Sequence, residues 1–285
     1  MKRLKPFAVT VAAMLFTAAP AFAADWFTLK EFGPVTQRVA VTLENPADVA
    51  DSAATAHIPL SELSKTLPDA RPGQICVVDP QTKPAHREEA DKNFIPSQES
   101  EGALIFSIPL KAHEKKTIYI YTAPQALNMP GFPAKTSFDS RHAYRSFENN
   151  YAAFRMETGP GANTTGLAID LFGKTKKGEG ARLEEIYSTI YHHLNPWGVD
   201  ILKVGSGPGD GGIYLYVGDQ VGRASFETTF VHCEYQGPVE TKLKVTAPIE
   251  VAGKTYHVVR YLTLIGEDRS IHDRFTVEGD DLDHL

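Results

Sequence analysis

The alternation of apolar and polar residues most constrains what this chain of 285 residues can fold into. Val39, Val41 and Leu43 alternate with polar neighbours, and the same period of two recurs at 239–245 and 256–265. Successive side chains of a strand point to opposite faces of a sheet, so this period indicates strands with one buried face. Clusters of glycine, proline and asparagine divide the segments, as is typical between antiparallel strands. We therefore predict an all-β fold, an antiparallel sandwich with few short helices.

One segment has helical spacing instead. Its apolar and aromatic residues recur at intervals of three and four, which is typical of one face of an amphipathic helix. We predict a short helix that carries Leu183, Ile186, Tyr187, Ile190 and Tyr191.

The N-terminus has the pattern of a secretory signal. Three cations within the first five residues precede an apolar stretch at 7–19, and Ala21 and Ala23 provide the small residues of a cleavage site. The apolar stretch is too short to span a bilayer, which argues against a membrane anchor. We predict a signal peptide at 1–23 and a mature chain that is periplasmic or secreted.

The mature chain is long enough for two β regions. A segment rich in proline and small residues at 124–136 separates an N-terminal β region at 24–123 from a second β region at 137–285. The alternative is that 24–285 forms one sandwich with a long loop. The last residues are acidic, so we expect either a solvated tail or a natural protein that continues beyond Leu285.

The charge of the chain narrows the classes of partner. The formal net charge is −6, and the predicted signal peptide contains three cations and no acids, so the mature chain is more acidic still. Nucleic-acid binding depends on Lys and Arg, and the chain has no basic amphipathic segment or later membrane-spanning run. We therefore expect neither a nucleic acid nor a membrane as a partner. The oligomeric state and the pairing of Cys76 with Cys233 are left open.

Arg155 is the first candidate for binding an anion. In the strand predicted at 151–158, Phe154 and Met156 share one face and Arg155 points to the other. A guanidinium on an open sheet face can fork onto a carboxylate. The alternative interpretation is an exposed arginine paired with Glu157.

Asp170 and Lys174 belong to the next alternating segment. Leu167, Ile169 and Leu171 form its apolar face, so Asp170 points away from that face. Both charged residues are candidates for contacts with a polar substrate. The alternative interpretation is a solvated strand face.

The segment 191–200 offers acid–base chemistry. His192 and His193 can titrate near neutral pH, and Trp197 provides an apolar plate for a sugar ring. Two histidines with Asp200 are also ligands for a divalent metal, although adjacent side chains diverge on most backbones. Three interpretations are left open: a catalytic or substrate-binding histidine, a metal site, and structural histidines.

Arg260 shares a strand face with Val258 and Leu262, which predicts that it is buried. A buried guanidinium needs a carboxylate partner. That carboxylate can come from the protein, as a structural ion pair, or from a ligand.

Three motifs follow one another along residues 147–212. FENNYAAFRM occupies 147–156, GLAIDLFGK occupies 166–174, and Y-H, G-V-D and G-G follow at 191–212. These motifs resemble those of the DUF4861 family, which has W/F-E-N-D-x-x-A-F-R, then G-x-D-v-w-x-K, then a Y-H…G-x-D…G-G block. The resemblance covers most of the mature chain, with two departures: Asn150 stands where the family has an acid, and members of the family usually run longer than this chain.

The resemblance implies a fold and a function. Proteins of this family are exported and occur with enzymes that degrade uronic-acid polysaccharides, and their fold is similar to the galactose-mutarotase-like β-supersandwich. It implies a carbon–oxygen lyase, a dehydratase or lyase that acts by β-elimination on an anionic, uronic-acid-containing oligosaccharide. The alternatives are a non-catalytic carbohydrate-binding protein and a mutarotase or epimerase. The resemblance identifies no definite cofactor, and a divalent metal is left open.

β-Elimination of a uronate needs three groups. A base removes the C5 proton α to the carboxylate, a cation neutralises the developing enolate, and an acid assists the leaving oxygen. We assign His192 or His193 as the base, Arg155 as the cation and Tyr191 as the acid. The remaining candidates are expected to contact the substrate or orient a histidine: Glu148, Asn149, Asp170, Lys174, Trp197, Asp200, Lys203 and Arg260.

Overall fold

A computed structural model describes residues 35–68, 70–80, 93–125, 136–140, 144–157, 169–174, 194–195, 198–202, 212–225, 228–279 and 282. The predicted signal peptide at 1–23 and the predicted helix at 183–191 lie outside these ranges. The chain divides into two compact units, Met1–Pro133 and Ala134–Leu285.

The first unit contains six strands and one short helix within the described ranges. The elements are β1 (Gln37–Glu44), β2 (Asp51–Pro59), α1 (Leu60–Thr66), β3 (Ile75–Val78), β4 (Ser97–Ser100), β5 (Ala103–Leu110) and β6 (Lys115–Thr122).

The strands of the first unit form two antiparallel sheets of three strands, in the orders β1-β6-β3 and β2-β5-β4. Val39, Val41 and Leu43 of β1 are buried, as their alternation predicted. They share one hydrophobic core with Phe106 of the other sheet and with Leu63 of α1. The first unit is therefore a small sandwich whose two sheets bury one face each.

The second unit contains twelve strands in its described ranges. They are β7 (Ser137–Asp139), β8 (Tyr144–Glu148), β9 (Ala152–Glu157), β10 (Asp170–Lys174), β11 (Leu194–Asn195), β12 (Gly198–Leu202), β13 (Tyr214–Val217), β14 (Gln220–Arg223), β15 (Phe230–Gln236), β16 (Glu240–Val251), β17 (Lys254–Ile265) and β18 (Ile271–Glu278).

These strands form a six-stranded sheet in the order β11-β12-β10-β9-β8-β7, a four-stranded sheet in the order β15-β16-β17-β18, and the hairpin β13-β14. Phe154 and Met156 of the larger sheet share a hydrophobic core with Leu243 and Leu262 of the smaller sheet and with Leu215 of the hairpin. The predicted all-β, antiparallel architecture is confirmed in both units. Among the described residues, we find no helix with the length and hydropathy of a transmembrane span.

The hairpin lies close to β16 because Gly222 of β14 has no side chain. A Cβ atom at this position would lie 2.6 Å from the carbonyl oxygen of Glu250 and 2.8 Å from Cβ of Val251. Both distances are far below van der Waals contact, so only glycine permits this approach.

The two cysteines lie in different units. Cys76 of β3 is buried, Cys233 of β15 is half-buried, and both are free thiols.

Candidate functional site

Polar residues occupy the face of the six-stranded sheet that points away from the hydrophobic core. Ser146 of β8 is directly opposite Arg155 of β9, and Arg155 is directly opposite Asp170 of β10. Directly opposite side chains of antiparallel strands lie on the same face. Phe154 and Met156 pack in the core, so Arg155 lies on the other face, which confirms the predicted orientation.

Arg155 and Asp170 form a buried ion pair at the centre of this face. The Nε and Nη2 atoms of Arg155 donate to Oδ2 of Asp170 at 2.9 and 2.6 Å. Arg155 is 2% exposed and Asp170 is 0% exposed. The guanidinium also lies over the ring of Phe172, with Cζ 5.0 Å from the ring centroid.

The burial of this pair corrects two alternative interpretations. An exposed Arg155 is wrong, because Arg155 is buried against Asp170, while the side chain of Glu157 lies outside the described residues. A solvated face around Asp170 is wrong for the same reason. Removing two charges from water costs several kcal/mol per ion, which a close ion pair offsets only when its geometry is good. The pair therefore fixes the guanidinium plane firmly against β10 and Phe172.

Glu148 and Lys174 form a second ion pair on the same sheet. Lys174 Nζ lies 2.7 Å from Oε2 of Glu148 and donates to the backbone oxygen of Asn149 at 2.6 Å. Ser137 Oγ donates to Oε1 of Glu148 at 3.2 Å. Glu148 and Phe172 are both opposite Ala153 in the register. The sheet thus brings together four of the predicted site residues, Glu148, Arg155, Asp170 and Lys174.

Asn149 uses its whole side-chain amide within the protein. Nδ2 donates to the carbonyl oxygens of Ile265 and Asp268 at 2.7 and 2.6 Å. Oδ1 accepts hydrogen bonds from the backbone N–H groups of Tyr151 and Ala152 at 2.8 and 3.0 Å. A primary amide has two donors and two acceptor positions, and all four are used here. This arrangement gives Asn149 a structural role that joins the β8–β9 turn to the β17–β18 turn.

Ser146 was not among the residues predicted from the sequence. Its side chain is 0% exposed, and among the described residues Oγ has no hydrogen-bond partner. A buried hydroxyl without a partner costs about 1–3 kcal/mol. The alternation of Ser146 with Phe147 was the signal in the sequence that could have placed it on this face, and its position opposite Arg155 comes from the structure. Ser146 therefore supplies an unused donor and acceptor beside the guanidinium.

Arg260 lies on a different sheet from Arg155. Arg260 of β17 is 3% exposed, and its Nε donates to Oδ1 of Asp273 in β18 at 2.9 Å. The predicted burial is confirmed. The carboxylate partner that the sequence left open comes from the protein.

The match to a known family covers this whole arrangement. The chain matches DUF4861, a domain of unknown function, over residues 43–284. The chain belongs to the DUF4861 family. No curated protein and no solved structure matches it.

Asn150 of this DUF4861 protein stands where the family pattern has an acid. Its Nδ2 atom donates to Oε1 of Glu267 at 2.9 Å. The amide therefore contacts the β17–β18 turn, on the same side as the neighbouring Asn149.

Several predicted residues of this DUF4861 protein lie outside the described ranges. They are Tyr191, His192, His193, Trp197 and Lys203. Asp200 belongs to β12 and is opposite Phe172 in the register. The structure describes its backbone but not its side chain.

A metal site formed by described residues is not found. Within the described ranges, no group of three or more His, Cys, Asp or Glu side chains is placed to hold a metal ion. His192 and His193 of the predicted metal set lie outside these ranges, and so does the side chain of Asp200.

Proposed function

We propose that this DUF4861 protein is an exported carbohydrate-active enzyme. It acts on uronic-acid-containing oligosaccharides by β-elimination, as a dehydratase or lyase. The observation that carries the proposal is the buried, oriented guanidinium of Arg155 on the polar face of the six-stranded sheet.

A fixed guanidinium suits the charge that develops in this reaction. When a base removes the C5 proton, electron density moves onto the two oxygens of the uronate carboxylate. Asp170 occupies the Nε–Nη2 edge of the guanidinium, so a uronate carboxylate would meet another edge of this planar group, which suits two oxygens better than a lysine ammonium does. A donor that is already oriented and desolvated stabilises the enolate without further reorganisation. Asp170 and Phe172 supply that orientation to Arg155.

The other groups are assigned from the sequence. His192 and His193 directly precede Leu194, the first residue of β11, and Asp200 belongs to β12 in the same sheet. An ordinary histidine titrates near neutral pH, which suits a base. In the elimination, the base takes the C5 proton, the C–H electrons form the C4–C5 double bond, and the C4–O bond breaks. Tyr191 gives a proton to the departing oxygen.

The test is the ultraviolet absorbance of the conjugated, unsaturated uronate product. We expect Arg155→Lys to lower kcat/KM by about a hundredfold or more, the usual cost of losing one oriented donor. His192→Ala and His193→Ala are measured in the same assay. The matched control is Arg38→Lys in the first unit, because Arg38 also lies over an aromatic ring, at 4.6 Å from the centroid of Tyr119.

Two outcomes contradict the proposal. If Arg155→Lys keeps the wild-type rate, the guanidinium has no part in the reaction. If both histidine variants keep full rate, the assigned base is wrong. Isothermal titration that shows heat of binding without any product supports a non-catalytic carbohydrate-binding protein instead.

A further inference from the structure

The outer face of the four-stranded sheet in the second unit carries a row of basic and aromatic side chains. His232, Lys244, Tyr261 and Arg274 are register partners across β15, β16, β17 and β18. They lie on the face opposite to Leu243, which packs in the core. An aromatic ring thus stands in line between two cations.

The neighbouring row adds a third cation and another ring. A bulge between Cys233 and Tyr235 shifts the register of β15, so that Tyr235 is opposite Lys242. Lys242 Nζ lies 4.8 Å from the ring centroid of Tyr261 and 6.0 Å from that of Tyr235. Without the bulge, Glu234 would be opposite Lys242. The bulge therefore exchanges an acid for an aromatic residue at this position.

In the described part of the chain, the carboxylates of this sheet do not pair with Lys244 or Arg274. Glu234 lies exposed in the bulge of β15, and Glu240 shares a face of β16 with Lys242. Glu240 is buried and accepts a hydrogen bond from the hydroxyl of Tyr235. Asp273 is paired with Arg260. Glu250 and Glu278 lie at the other end of the sheet, in rows about 14 Å or more along the strands from Lys244.

Lys244 and Arg274 are accordingly uncompensated. Neither forms an ion pair with any carboxylate in the described part of the chain. The chain as a whole has a net charge of −6, so a local group of cations on one face is a distinct feature of its surface. We call Tyr235, Lys242, Lys244, Tyr261 and Arg274 the basic aromatic face.

We propose that the basic aromatic face binds a carboxylated polysaccharide chain, at a place separate from the residues around Arg155. Adjacent strands are about 4.8 Å apart, so Lys244 and Arg274 are about 10 Å apart across the sheet, with Tyr261 between them. Cations separated by an aromatic plate suit an extended polymer that alternates carboxylates with sugar rings. The choice of a carboxylated sugar as the ligand rests on the proposed function. The location of the binding site and its preference for an anionic ligand rest on the residues of the basic aromatic face.

The test measures binding of the full mature chain to a polymer, without turnover. The chain is run in native gels that contain polygalacturonate, and in parallel gels that contain the neutral polymer dextran. We expect retardation by polygalacturonate alone. Lys244→Gln/Arg274→Gln should weaken that binding by roughly tenfold, since two exposed ion pairs are lost. The remaining retardation should fall further at high salt.

The matched control is Lys65→Gln/Lys111→Gln, which removes the same charge from exposed positions of the first unit. This variant should bind like the wild type. Equal weakening in both double variants would mean a general effect of charge and would overturn the proposal. No retardation of the wild type would overturn it too.

A vesicle assay separates the polymer from a lipid surface. Binding to vesicles of anionic phospholipid without binding to polygalacturonate would replace the proposed polymer by a membrane, and so overturn it. The catalytic proposal can fail independently. If Arg155→Lys keeps full rate while Lys244→Gln/Arg274→Gln loses the polymer, only the proposed reaction is wrong.

Discussion

Arg155 directs both Nε and Nη2 to a single oxygen of Asp170, Oδ2, at 2.9 and 2.6 Å. The two residues are opposite each other on neighbouring strands, and both are shielded from water. A carboxylate placed in this way holds the guanidinium in one plane. It also leaves a buried charge whenever either partner is removed.

Asp170→Asn should therefore lower the free energy of unfolding by about 3–5 kcal/mol, because it leaves a buried guanidinium without a counter-charge. Urea denaturation of the purified variant measures the loss. Arg155→Met/Asp170→Leu, which removes both charges, should be more stable than Asp170→Asn alone.

The control for this pair is Glu62→Gln. Glu62 pairs with Lys65 at 2.7 Å, but both side chains are more than half exposed. Exposed pairs contribute about 1 kcal/mol or less. If Asp170→Asn costs no more than Glu62→Gln, the Arg155 pair does not stabilise the sheet as described.

Asn149→Ala should destabilise the second unit by about 2–4 kcal/mol. The substitution removes four hydrogen bonds and leaves the carbonyl oxygens of Ile265 and Asp268 without this donor. Asn150→Ala, one residue along the chain, loses a single hydrogen bond to Glu267 and should cost about 1 kcal/mol. Thermal unfolding of both variants tests the difference. Equal losses would contradict the structural role of Asn149.

The pair of Asp268 and His272 should make stability depend on pH in both directions. Burial by itself raises the pKa of Asp268, but hydrogen bonds from His272, Ser270 and the backbone outweigh it and lower this pKa from 3.8 to about 2. The hydrogen bond to Asp268 raises the pKa of His272 above 6.5. Burial opposes that rise, and the charges of Asp268 and Glu240 add to it.

The directions of these two pKa shifts determine how the stability of the folded chain changes with pH. The contribution of Asp268 to the free energy of unfolding is complete above about pH 4 and is lost as the pH falls toward 2. The His272 contribution is complete below 6.5 and is lost as the pH rises through the higher folded pKa. Because the His272 side chain is largely exposed, we expect its contribution to the free energy of unfolding to be less than about 1 kcal/mol. His272→Gln should flatten the alkaline side of a plot of melting temperature against pH, and His257→Gln on the neighbouring strand should not.

Alkylation should distinguish the two thiols. Burial raises the pKa of Cys76 to about 12, although a backbone hydrogen bond from Tyr121 partly opposes it. Burial and then the charge of Glu234 raise the pKa of Cys233, which is only half-buried. The thiolate is the reactive form, so Cys233 should react slowly with iodoacetamide in the folded chain and Cys76 only after unfolding in urea. Mass spectrometry of the digested protein measures the extent of alkylation at Cys76 and at Cys233. Rapid labelling of Cys76 in the folded chain would contradict its burial.

The strands could be predicted because their information is local. Alternation identified the buried face of β1 and placed Arg155 opposite Phe154 and Met156. A period of two shows which residues share a face, but it does not show whether that face is exposed. For this reason the burial of Asp170 could not be foreseen from the sequence.

Contacts between distant segments were also beyond the sequence. Asn149 is 116 residues from Ile265, and no local pattern connects them. Its place in a family motif suggested contact with substrate, whereas the structure shows that the amide joins two turns. The same limit applied to Arg260, whose burial was predicted but whose partner Asp273 lies on the next strand.

The bulge in β15 has a consequence for comparing members of the family. A relative that lacks one residue of the turn at 237–239 and keeps the residues before it would pair without the shift, and the residue in the place of Glu234 would then meet the position of Lys242. A single gap in an alignment at this point would therefore mark a change in what the protein can hold on its surface. It should not be dismissed as ordinary variation in length.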